Sequence, residues 1–149
     1  MTRTFLRPAL VVLACTGMIA FASPSMADIM KMKADLKGAN EVPPTQTGGS
    51  GSVDVTYDSA SKKLSWKGTY AGLTGPATAA HFHGPGPSGK NAGVMVPIFQ
   101  GDAAKSPFEG SATLNDAQAK ALMDGEMYVN IHTAANKGGE IRGQMAAVK

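Results

Sequence analysis

Cysteine is almost missing from this chain. The only one of 149 residues is Cys15, and it sits inside an apolar N-terminal run. A chain cut behind Ala27 has none, so disulfides, thiol catalysis and thiolate metal sites are excluded from residues 28–149. Aromatic residues make up 6% and charged residues 17% of the sequence. Residues 28–149 hold twelve basic and eleven acidic side chains, with no basic run longer than Lys62-Lys63. Nucleic-acid binding therefore has no electrostatic footing. No Gly-x-Ser-x-Gly elbow is present, and no acid pair stands out for glycoside cleavage. The Gly/Pro-rich stretch 84–93 lacks the Gly-Lys-Ser/Thr ending of a phosphate loop.

What is present begins with a leader. Arg3 and Arg7 form a basic start, Ala9 to Ala22 is almost unbroken apolar sequence, and Ser25-Met26-Ala27 is a small-x-small cleavage signal. Residues 1–27 read as a secretory signal peptide, too short and wrongly flanked for a membrane span. Residues 28–149 then form one domain, secreted or periplasmic, with no membrane contact after cleavage.

Period-two alternation dominates that domain. Met30, Met32, Ala34 and Leu36 alternate with Lys31, Lys33, Asp35 and Lys37. Val53, Val55 and Tyr57 form a second such face. Leu64, Trp66, Gly68 and Tyr70 form a third, joined to the second across the turn at Asp58–Ser61, with Trp66 as core anchor. A fourth strand spans about Thr78 to His83. A fifth covers Val94 to Phe99, where Pro97 implies an edge or a bulge. Phe108, Gly110, Ala112 and Leu114 make a sixth run. Asn115 and Gln118 form a capping box for one short helix that stops at Gly125. Met127, Val129 and Ile131 share one face of the next strand, and Tyr128, Asn130 and His132 the other. Ile141, Gly143 and Met145 alternate in the last. Pairing Ile131 with Ile141 sets His132 across from Glu140, Asn130 across from Arg142 and Tyr128 across from Gln144. The pattern predicts an all-β fold: an antiparallel immunoglobulin-like or Greek-key β-sandwich or barrel with one short connecting helix. Glu41-Val42-Pro43-Pro44 reads as a loop that blunts a sheet edge. The methionines fit packing positions.

Histidine is scarcer than the aromatics, and its placement carries the functional signal. There are three. His81 and His83 lie two apart in Ala80-His81-Phe82-His83-Gly84, so in a strand both point the same way. His132 sits in Tyr128-Val129-Asn130-Ile131-His132-Thr133. Three neutral imidazoles can bind copper or zinc and leave a coordination position open. The Irving–Williams order favours Cu²⁺ over Zn²⁺. The blander alternative makes them polar-face residues hydrogen-bonded to loop backbone.

Four segments carry a family resemblance: Leu36-Lys37-Gly38-Ala39-Asn40-Glu41-Val42-Pro43-Pro44, Ala80-His81-Phe82-His83-Gly84, Tyr128-Val129-Asn130-Ile131-His132-Thr133 and Gly139-Glu140-Ile141-Arg142-Gly143-Gln144. In this order they resemble the chordin-type (CHRD) domain over residues 29–147. The resemblance implies an immunoglobulin-like sandwich or barrel and no defined activity. A second resemblance, around the His-x-His strand, is to copper–zinc superoxide dismutase. It places His81, His83 and His132 as copper ligands and Arg142 near the metal. This chain has no histidine for a bridging ligand or a zinc site, so at most a mononuclear site survives.

Three functions remain open. The first is a binding module holding one copper or zinc ion through His81, His83 and His132. There Glu140 would orient His132 from behind. The second is a redox enzyme at mononuclear copper, with Arg142 drawing in a small anion. The third is a metal-free adhesion or protein-interaction domain with an extracellular partner. Asn130 and Tyr128 are further candidates beside the histidines, or else members of a polar ladder worth roughly 0.2–1 kcal/mol per pair.

Overall fold

The alternating segments become strands because each can bury one face and solvate the other. A computed structural model describes residues 28–101 and 105–148; the expected signal peptide lies outside these residues. Strand β1 runs Ile29–Lys37, β2 Ser50–Asp58, β3 Lys63–Ala71, β4 Ala77–His83 and β5 Val94–Gln100. Strand β6 is Phe108–Thr113, helix α1 Asp116–Met123, β7 Tyr128–Thr133, β8 Ile141–Gln144 and β9 Ala146–Ala147. They join one antiparallel sheet in the order β5-β4-β7-β8-β1-β2-β3-β6, with β9 added beside β1. The sheet is nearly closed, so the fold takes the barrel form of the two expected.

The barrel interior holds the predicted apolar faces. Leu36, Val53, Leu64, Phe82, Val129, Ile131 and Ile141 are fully buried in one cluster. Trp66 meets Phe82 edge to face at 5.3 Å. Two inward positions of β3 and β6 are glycines because rings occupy their space. A Cβ at Gly68 would lie 2.3 Å from the Phe108 ring, and one at Gly110 would lie 2.6 Å from Trp66. The ends of the sheet, β5 and β6, meet through Phe99 and Phe108, whose centroids are 5.2 Å apart. Strand β5 is terminal in the order, which is where Pro97 costs no ladder hydrogen bond. The capping box of α1 forms as expected, with Asn115 and Gln118 bonded reciprocally at 2.9 Å.

One departure locates the site. Strand β7 is buried at all six residues, on the polar face as well as the core face. Two loops roof that outer face. Loop 84–93 lies over β4, β7 and β8, and Asn91 Nδ2 donates to the Val42 carbonyl at 2.8 Å. The segment around Glu41 is the second part of the roof. It was expected to blunt an edge; instead Glu41 is 5% exposed and its Oε2 accepts from Asn130 Nδ2 at 3.3 Å. Loops carry no periodicity, so nothing in the strand pattern announces what covers it.

Candidate metal centre

His81 and His83 leave β4 on the outer face while Phe82 between them enters the core. Strand β7 lies alongside, with His81 opposite Asn130 and His83 opposite Tyr128. This brings His132 to the other two. Ring centroids are 5.1 Å apart for His81–His132, 5.6 Å for His81–His83 and 5.8 Å for His83–His132. One nitrogen from each ring lies within 4.8 Å of the others. Nitrogens sharing an ion at about 2.0–2.1 Å sit roughly 3.5 Å apart, so small side-chain movements close the set. His81 Nδ1 and His132 Nε2 are already 3.2 Å apart.

The other nitrogens are held by backbone. His83 Nδ1 lies 3.0 Å from the Ala92 carbonyl, and His132 Nδ1 lies 3.0 Å from the Lys137 carbonyl. A carbonyl can only accept, so both Nδ1 atoms carry the proton and both Nε2 atoms keep a lone pair. His83 Nε2 is buried and has no hydrogen-bond partner among the described residues. Burial lowers the pKa of all three rings below the ordinary 6.5, and His132 adds to the effect at His81. The rings are therefore neutral at neutral pH, the form that ligates.

The flanking candidates fall into different roles. Asn130 pairs with Arg142 and Tyr128 with Gln144, in the expected register. Tyr128 stacks on His83 at 5.1 Å with 8° between planes. Its hydroxyl donates to the Ala92 carbonyl at 3.3 Å, the same oxygen that fixes His83. Arg142 was expected to draw in an anion. It is 2% exposed, with Cζ 3.4 Å from the Tyr128 centroid. Its Nη1 donates to Asn91 Oδ1 at 3.1 Å and its Nη2 to the Lys90 carbonyl at 2.6 Å. Arg142 thus pins the roof rather than facing solvent.

Glu140 does not orient His132, because the Lys137 carbonyl takes that hydrogen bond. Strand β8 starts at Ile141, and before it the Glu140 side chain turns to other donors. These are Thr47 Oγ1, Thr74 N and Oγ1, Thr133 Oγ1 and Asn136 Nδ2, all within 3.1 Å. Burial pushes this carboxyl up, but the threonine hydrogen bonds outweigh it and bring the pKa to about 2. Glu41 shows the reverse. Burial dominates over Arg142 and Asn130 and lifts it to about 7. Sequence reasoning placed Glu41 only in an edge-blunting loop and missed the Ala92 and Lys137 carbonyls altogether. Backbone acceptors leave no residue signature, and Glu41 had only the faint signal of one acid in an otherwise uncharged stretch.

Comparison with known proteins completes the picture. A family model described as the CHRD domain matches residues 32–145. No curated protein and no solved structure matches the chain.

Proposed function

Because the chain belongs to the CHRD-domain family, we propose that it serves as a binding module holding one transition-metal ion, copper or zinc, through His81, His83 and His132. One observation carries this reading. Two imidazoles have Nδ1 committed to backbone carbonyls, and the bare Nε2 of His83 is buried beside the other rings without a partner among the described residues. A buried polar atom with no partner is costly, roughly 1–3 kcal/mol, unless something occupies its lone pair. Three neutral imidazoles are a donor set that suits copper and zinc. In the proposed assignment His83 and His132 bind through Nε2, and His81 binds through Nδ1 after giving up the proton that bridges to His132 Nε2.

The module works outside the cytoplasm, after loss of residues 1–27. The N-terminal pattern supports this, and no described helix is long and apolar enough to cross a membrane. The redox-enzyme alternative gave Arg142 the role of drawing in an anion. Arg142 is spent on the roof, which favours holding an ion over turning over a substrate.

The test is metal content of untagged protein from its own compartment, beside an H81A/H83A/H132A variant. One copper or zinc per wild-type chain, absent from the variant, is expected, with a higher melting temperature for loaded than for stripped protein. Equal metal content in both proteins, or no binding by wild type on titration, would remove the site. A protein or extracellular partner retained by the variant would then point to the metal-free interaction domain.

A further inference from the structure

The charges around the three rings bear on which ion they take. We infer that this site selects copper in its singly charged, cuprous form over Zn²⁺ and Cu²⁺, because its buried donors are uncharged and the charge stacked behind them is the cation of Arg142. The inference rests on the metal-site reading above and refines it.

Four observations converge. First, the donor group consists of histidines alone, with no carboxylate in it among the described residues. Nothing in the ligand set cancels ionic charge. Second, His83 is 8% and His132 9% exposed, and His81 is half-buried. Taking an ion out of water costs free energy in proportion to the square of its charge, so a doubly charged ion pays about four times the penalty of a singly charged one. Third, strand order puts Tyr128 on β7 between His83 on β4 and Arg142 on β8. Arg142 lies 3.4 Å over the Tyr128 ring, and that ring stacks on His83. With the three rings neutral, the cation in this stack is the Arg142 guanidinium. A divalent ion is repelled twice as strongly as a monovalent one. Fourth, the nearby acids are unavailable. Glu140 is held by its own donors, and Glu41 is bonded to Asn130. Zinc on three histidines would take water as its fourth ligand and so draw solvent into the pocket. Cuprous ion, singly charged and tolerant of low coordination numbers, accepts three donors. The Irving–Williams ranking of Cu²⁺ over Zn²⁺ compares divalent ions only and is silent on this choice.

The experiment compares three affinities of the intact secreted protein in a non-coordinating buffer. Cu⁺ is measured anaerobically against bicinchoninate, and Cu²⁺ and Zn²⁺ against competing chelators. Wild type is expected to bind Cu⁺ at least tenfold more tightly than either divalent ion. R142Q should narrow that ratio about tenfold, whereas R142K, which keeps the charge, should leave it near the wild-type value. Tighter binding of Zn²⁺ or Cu²⁺ by wild type overturns the inference while leaving the site intact. An unchanged ratio in folded R142Q overturns it too. If R142Q does not fold, the wild-type ratio decides alone. Failure of wild type to bind any of the three ions instead removes the underlying metal site.

Discussion

Glu41 and Glu140 are both buried within a few residues of the same strand pair, and burial treats them oppositely. Glu41 has one hydrogen bond, from Asn130, and its Oε1 has no partner among the described residues; Asn130 Oδ1 is likewise unpartnered. A proton on Glu41 turns one of two clustered acceptors into a donor, which suits its pKa of about 7. The unfolded chain loses this proton near 4.5, so the folded state is penalised progressively as pH rises from there through 7. E41Q supplies donors without titrating. Relative to wild type it should gain up to about 3 kcal/mol between pH 4 and pH 8, read from urea unfolding at both. A difference that stays constant with pH would contradict this account. His81, His83 and His132 were readable as a cluster because strand alternation fixes their faces. Their fixed tautomers were not, since these depend on carbonyls of Ala92 and Lys137 that any residue type would supply.

Between single residues and the barrel stands the β7–β8 hairpin. Its register was legible: Ile131 faces Ile141 because a one-residue slip would turn an apolar face outward. The pairing of His132 with Glu140 was not a safe extension of it, because the ladder ends at those isoleucines and the intervening turn sets its own geometry. That turn depends on Gly139, which has φ 133 and lies against Asn130. A Cβ there would sit 2.2 Å from Asn130 Oδ1. G139A should cost about 2–5 kcal/mol, from backbone strain and overpacking together. It should also weaken metal binding, because the Lys137 carbonyl that holds His132 belongs to the same turn. Thermal melts and ion titration of the one variant check both. Wild-type metal affinity in a destabilised G139A would show that the turn supports the fold but not the site.

At the scale of the whole molecule, Glu140 gathers distant segments. Thr47 before β2, Thr74 before β4, Thr133 at the end of β7 and Asn136 in the turn all donate to its carboxylate. Its pKa of about 2 lies below the unfolded value of 4.5. The stabilisation is therefore complete above 4.5 and is lost as pH falls toward 2. E140Q should lose on the order of 3 kcal/mol at pH 7 and little at pH 2, the opposite slope to E41Q. Parallel unfolding curves for wild type and E140Q across that range would reject the role. The barrel class was legible because alternation repeats in every strand; this knot was not, because its donors come from four places in the chain. The separation of the ligands has a consequence in time. His81 and His132 are 51 residues apart, on strands that meet only once the sheet has formed. An extended chain offers His81 and His83 alone, two donors in place of three. Under the proposed function an ion would therefore be loaded after folding, and a chain exported unfolded would travel without it.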